Sequence, residues 1–303
     1  MSPNRQRRAF ALPLVLWSIA FMAGLLVLLS GLVSDWMDSE SRAERRFVAR
    51  QMALSGIALG LNPALKAGDP LLRSGNPDGE GYEVRIGNEA AKINPNFWIQ
   101  QGNRPLFLKL FEGWGVDMME AEAAIDGLTD WIDGDDFLSL KGAERGEYER
   151  AGRPGFPANR PLRHVREMEA VMNLSPILAA KPDWQSYFTV WYGGKISIQH
   201  AKEPVLAELA ELTPPQIQSL LEVRAGVDGI EGTDDDEKFT SIEAVADFLG
   251  AGGRQRDALL NFFDTSGDIR RIESTGFCHG VRHQIIVVAP AGSPGQIMSW
   301  EEK

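Results

Sequence analysis

Residues 10–33 hold no charged side chain, and that run constrains the chain more than any other feature. Coiled at ~1.5 Å per residue it would extend about 36 Å, more than the roughly 30 Å of a bilayer's hydrocarbon core. Arg5, Arg7 and Arg8 precede it, with no acid among residues 1–9, and Asp35, Asp38 and Glu40 follow. Basic residues stay on the cytoplasmic side. The expectation is therefore one span, a cytoplasmic N-terminus and a globular body across the membrane. A secretory signal cut after its apolar run fits less well, because the run is long and Leu29-Ser30-Gly31 is a poor small-x-small site. An uncleaved signal anchor and a segment cut before the apolar run remain.

The helical pattern continues past the span. Across 34–65, Trp36, Phe47, Val48, Met52, Ile57 and Leu61 sit among charges at helix-like spacing, until Pro63 and Gly68-Asp69-Pro70. Residues 82–86 alternate as a strand, turn at Gly87-Asn88 and resume through Lys92-Ile93-Asn94. Helical signals fill 106–114, 118–131 and 165–172, and a strand returns over 189–197. A helix pair occupies 203–211 and 214–225, and two more helices 241–249 and 254–262. Two strands, 269–278 and 282–289, close around His279-Gly280, with Ile285-Ile286-Val287-Val288 suited to a buried central strand. The expected class is α/β: a long N-terminal helix, an antiparallel sheet and inserted helical units.

Arg7-Arg8-Ala9-Phe10-Ala11-Leu12-Pro13-Leu14 resembles a type IV prepilin processing site, where a short basic leader ends in a small residue and Phe opens the mature helix. Ala9 stands where Gly is usual, and Leu14 where most such subunits carry Glu. In those filaments the Glu is thought to neutralise a neighbouring subunit's α-amino group inside the membrane, where an unpaired ammonium is costly. A subunit without it fits the end of a filament better than its repeat. Two further stretches narrow the likeness. One is Asp130-Trp131-Ile132-Asp133-Gly134-Asp135-Asp136 with Gly142-Ala143-Glu144, Tyr148 and Ala158-Asn159-Arg160-Pro161-Leu162. The other is Lys195-Ile196-Ser197-Ile198-Gln199-His200-Ala201, leading to Leu212-Thr213 and Arg224. With the leader they resemble the K-type minor pseudopilin of bacterial type II secretion systems, over nearly the whole chain.

That resemblance implies a pilin-like fold. Residues 1–9 would be the prepilin leader, 10–33 the transmembrane helix, and 34–96 the spine helix and first strands. An inserted helical domain would occupy 97–188, a returning strand and a second, SAM-like helical unit with an acidic loop 189–263, and the C-terminal strands 264–303. It also implies cleavage between Ala9 and Phe10 by a prepilin peptidase, methylation of the new N-terminus, and a periplasmic body anchored in the inner membrane. The subunit would cap the pseudopilus tip with the I-type and J-type minor pseudopilins, above the major pseudopilin and the inner-membrane assembly platform. A minor pilin of a type IV pilus or of a DNA-uptake machine is the alternative.

Charge argues against nucleic acid: Lys and Arg number 31 against 42 Asp and Glu, a net −11, and phosphate contact needs concentrated bases. The helix pair after 203 has the outline of a helix–hairpin–helix DNA module. Its turn, Glu211-Leu212-Thr213-Pro214-Pro215, offers an acid and no glycine where amides should meet phosphate, so a small packing unit is expected. No catalytic constellation stands out. His279 and His283 fall on a hairpin and read as exposed side chains, and Cys278, the single cysteine, reads as a small core residue. The expected function is not enzymatic.

Acidic clusters carry the remaining chemistry. Asp228-Gly229-Ile230-Glu231-Gly232-Thr233-Asp234-Asp235-Asp236-Glu237 crowds its carboxylates without a base between them. Calcium takes six to eight oxygens, and glycine lets backbone carbonyls contribute; the family resemblance also implies calcium in the helical part. Asp228, Asp234 and Asp236 are the expected ligands of a structural ion, with Asp235 and Glu237 facing water, or the reverse parity with these two turned inward. Asp130, Asp133 and Asp135 form a second candidate set.

Overall fold

The computed structural model describes residues 11–76, 79–229, 231, 235–293 and 295–303; for 11–13 and 30–41 it gives the backbone. Helix α1, Ala11–Gly60, is continuous over 50 residues. Its side chains from 14 to 29 are exposed, whereas Ala49, Ala53 and Ile57 are buried. Among the described residues no helix is long and apolar enough to cross a membrane. The processing residues Ala9 and Phe10 lie outside the described residues.

After α1 come strands β1, Arg73–Gly75, and β2, Glu80–Asn88. Short helices follow: α2, Pro95–Gln100; α3, Arg104–Gly113; α4, Met118–Ile132; α5, Arg145–Arg150; and α6, Ser175–Ala180. The two-residue β3, Ile196–Ser197, leads into α7, Glu203–Ala210, α8, Pro214–Arg224, α9, Ile242–Phe248, and α10, Gly253–Phe262. Then β4, Phe263–Asp264, runs parallel to β3. The chain ends in β5, Ile269–Cys278, β6, Val281–Pro290, and β7, Ser299–Glu302. The main sheet is antiparallel in the order β1-β2-β5-β6-β7. β2 therefore pairs with β5 across the whole helical insertion, from Glu80↔Cys278 to Asn88↔Arg270.

Spine and sheet meet at small residues. A Cβ on Gly276 would fall 2.0 Å from the Ala49 carbonyl oxygen, and one on Gly56 2.2 Å from Ser274 Oγ. This close approach lets Ala53 and Ile57 pack on Val84, Ile272, Ile285 and Val287, each large aliphatic contributing about 1.5–3 kcal/mol when fully buried. The guanidinium of Arg50 adds a two-pronged clamp on Glu302 of β7, at 2.8 and 2.9 Å. The helical insertion has its own core around Phe107, Phe111, Leu128, Trp131, Tyr148 and Phe188.

The strand expected to resume through Lys92-Ile93-Asn94 does not form. Asn88 accepts from the Ala90 N–H, and 89–91 turn as a 3₁₀ segment. Ile93 then exchanges backbone bonds with Tyr187 and Thr189, each at 2.9 Å. The expected returning strand over 189–197 is thereby drawn to Ile93, and only Ile196–Ser197 is extended, against β4 and away from the main sheet. Residues 165–170 form a 3₁₀ helix rather than an α-helix. β7 was not evident in the sequence.

Candidate functional site

α4 starts cleanly, with Asp117 accepting from the Met119 N–H at 2.8 Å. Ala121, Ala124, Ile125 and Leu128 face the core. Its last turns bring Asp126 and Asp130, four residues apart and so on one face, into the interior at 6% and 0% exposure. Their fates differ. Asp126 is neutralised by Arg104 at 2.6 Å and accepts from the Lys141 N–H at 3.0 Å. Asp130 has no cation partner among the described residues and accepts from the Ser139 N–H at 3.2 Å.

The chain leaves α4 at Asp133, loops outward and returns over the helix end. Gly142 makes the return fit, since a Cβ there would fall 2.0 Å from Asp130 Oδ2. The return delivers Glu144, 5% exposed, to the N-terminus of α5. Its carboxylate faces the Glu147 N–H in a capping box without a well-formed hydrogen bond to either oxygen, and the buried Asp133 Oδ1 and Asn159 Oδ1 are likewise unsatisfied. Asn159 sits in the left-handed region, φ 43°, and its Nδ2 donates to Asp135 O at 2.9 Å and Asp136 Oδ1 at 3.2 Å. Trp131, Tyr148 and Phe156 form an aromatic cluster beside this loop, with centroids 5.3 to 6.1 Å apart.

These carboxylates resist ionisation. Burial, then repulsion from Asp130 and Asp133, pushes Glu144 up to about 7. Burial, then Asp135 and Asp130, pushes Asp133 up to about 6, and Asp130 is raised as well, chiefly by burial. Buried oxygens with neither donors nor cations are costly, and a hard cation with flexible oxygen coordination would satisfy them. The acids do not form a closed cage: among the described residues only Glu80, Cys278 and His279 bring three ligand atoms of these types within 4.8 Å of one another. The sequence pointed to Asp130, Asp133 and Asp135. Glu144 and Asn159, which the fold brings beside them, were not singled out, although both lie in the motif that carried the family likeness, because neither stands in an acid-rich run.

The second acidic loop is arranged otherwise. Asp235, though exposed, follows the reverse parity and folds onto its own loop, where its Oδ2 accepts from the N–H groups of Val227 at 2.7 Å and Asp228 at 3.1 Å. Arg224, 3% exposed, donates to Ala201 O at 2.7 Å and to Glu231 at 3.1 Å. Asp228 and Asp236 are both partnered. Asp234 lies outside the described residues.

The α7–α8 turn carries Glu211 in the left-handed region, φ 54°, held by Lys109 at 2.6 Å. A carboxylate thus stands where a DNA-binding hairpin would offer glycine amides. In the neighbouring stretch, Ser197 Oγ and Gln199 Nε2 are buried without partners.

The family model for type II secretion system (T2SS) protein K matches residues 91–182, the segment that builds the α4–α5 site. The type II secretion system protein K of Pseudomonas aeruginosa is 25% identical over 171 residues, covering 52% of this chain and 48% of that protein. The chain thus matches about half the length of this curated relative. The crystal structure of the GspK-GspI-GspJ complex from the enterotoxigenic Escherichia coli type 2 secretion system aligns with a TM-score of 0.62 at 16% identity, over 89% of this chain and 99% of that one. It establishes likeness of fold: a mixed α/β body with an antiparallel sheet and many helices.

Proposed function

We propose that the chain is a protein K of a type II secretion system, on its likeness to that family model over residues 91–182 and to a curated relative, and that it acts as a minor pseudopilin, a non-enzymatic subunit at the tip of the secretion pseudopilus. The observation that carries this reading is the architecture. One long helix lies along an antiparallel sheet, and the family-matching segment is inserted between two adjacent strands of that sheet, β2 and β5. The solved relative is titled as a complex with GspI and GspJ, and this chain takes corresponding I-type and J-type partners. Cleavage between Ala9 and Phe10, methylation of Phe10, insertion of residues 10–33 in the inner membrane and a periplasmic body belong to the same proposal. Support comes from the basic leader and the uncharged run. Leu14 in place of Glu favours a terminal place in the filament over a repeating one.

The role proposed for calcium is structural. Asp130, Asp133, Asp135, Glu144 and Asn159 would hold the ion, supported by unpartnered buried oxygens and an all-oxygen donor set. The bound charge would offset the burial and the repulsion that raise Glu144 and Asp133 above the usual carboxylate range. Asp228, Asp234 and Asp236 are candidates for a second, weaker ion, since the loop already satisfies Asp235 from its own backbone.

The experiment is a pull-down of the full chain from envelope membranes. Recovery of secretion pseudopilins is the expected result; recovery of type IV pilus or DNA-uptake subunits in their place would overturn the assignment.

A further inference from the structure

Glu80 opens β2 and Cys278 ends β5, and the two are direct cross-strand partners, so their side chains share one face of the sheet. Ile272, Ser274 and Gly276 precede Cys278 at alternate positions, and Gly276 and Ser274 touch α1. The shared face is therefore the one covered by the spine. His279 follows in the β5–β6 turn. Its φ of 45° and the 82° of Gly280 make a tight left-handed turn, and its N–H donates to Gly79 O at 2.7 Å. Left-handed backbone takes His279 out of strand alternation, and its ring joins the other two side chains. Sulfur, imidazole nitrogen and carboxylate oxygen all lie within 4.8 Å of one another, with Cys278 Sγ 3.7 Å from Glu80 Oε1.

We propose that Glu80, Cys278 and His279 form a binding site for one zinc-class divalent cation, separate from the oxygen sites of the helical insertion. Thiolate, imidazole and carboxylate are the ligand types zinc takes, with bonds of roughly 2.0–2.3 Å that put tetrahedral donors about 3.3–3.8 Å apart. The Sγ–Oε1 separation already matches, and the other donors, within 4.8 Å, need to close by about 1.5 Å at most. Calcium and magnesium, which take oxygen, are disfavoured by the sulfur and nitrogen. In the metal-free protein, burial and then the Glu80 charge keep the thiol protonated. Binding releases that proton to solvent and forms the sulfur–metal bond in its place. Three protein ligands leave the fourth position to water. The bound ion would staple the start of β2 to the end of β5 beside the spine. The site does not depend on the secretion assignment.

Cobalt(II) is the probe, added to the reduced full chain in detergent with excess calcium present. One cobalt per chain is expected, with a thiolate-to-cobalt charge-transfer band and visible bands of a low-coordinate ion, displaced by zinc and not by calcium. Cys278→Ser should remove the charge-transfer band. His279→Asn, which keeps a residue at ease in the left-handed turn, and Glu80→Gln should each weaken binding by at least about tenfold, the lower range seen even for outer-shell changes. His279 and Glu80 are exposed, so these two variants keep the proposal testable if Cys278→Ser fails to fold. Absence of the thiolate band, or a band of unchanged affinity in His279→Asn, would overturn the proposal.

Discussion

The two acidic regions look alike in sequence and differ in the fold. The loop at 228–237 is denser in acids, yet its inward-facing carboxylate is satisfied by the amides of Val227 and Asp228, and the buried Arg224 reaches Glu231. The region at 130–159 is sparser, yet it buries Asp130 and Glu144 and leaves Asp133 Oδ1, Asn159 Oδ1 and the Glu144 carboxylate without well-formed hydrogen bonds. Exposed acids are hydrated at little cost, whereas buried ones need a donor, a proton or a cation. The contrast teaches that unmet burial, and not acid density, marks the better place for an ion.

Four perturbations bear on that contrast. The largest is removal of calcium from the full chain. At a thousandfold excess over its dissociation constant a ligand contributes about 4 kcal/mol, so chelation should lower the melting temperature by on the order of 10 °C, with recovery in calcium and not in magnesium. An unchanged melting curve would mean that neither region holds a calcium ion. Next comes Gly142→Ala, which drives a methyl group into Asp130 Oδ2. It should cost about 1–3 kcal/mol, as overpacking does, and blunt the calcium response; a neutral variant would mean that the 142 return is looser than described.

The third effect is with pH. In the metal-free fold Glu144 is raised from 4.5 to about 7 and Asp133 from 3.8 to about 6. The folded state therefore holds protons that the unfolded chain releases. Stability from this source is full below the unfolded values and is lost as pH rises from about 4 to about 7. Calcium should flatten that slope. A metal-free protein that grows more stable over this window would contradict the burial of these groups. The smallest effect belongs to Asp235→Asn, which weakens two amide contacts in an exposed loop. It should cost about 0.5–1.5 kcal/mol and leave the response to calcium intact.

Local signals were well represented in the sequence. The strand pattern at 269–289 and the helix at 118–131 were legible because burial repeats at the period of each element. The pairing of β2 with β5 was legible only as a pattern of separate strands, since no local feature says which strands meet across an insertion. The stretch at 189–197 misled because its start pairs by backbone with Ile93, through Tyr187 and Thr189, and backbone pairing of that kind has no periodicity. At the site, Asp130 and Asp133 were found by acid density. Glu144 was not, because its distinction is the fold-back enabled by Gly142, and Glu80 meets Cys278 only through sheet register.

Calorimetric titration of calcium into the metal-free full chain, beside Glu144→Gln and Asp236→Asn, tests the central contrast most directly. Glu144→Gln keeps the shape of a buried side chain while removing its charge, so any loss reflects the ion and not a cavity. Glu144→Gln should weaken the tightest calcium by at least about tenfold, as judged by the 10- to 100-fold losses on disturbing metal surroundings, while Asp236→Asn leaves it unchanged. Loss of the tightest site in Asp236→Asn, with Glu144→Gln binding as the unaltered chain does, would contradict it.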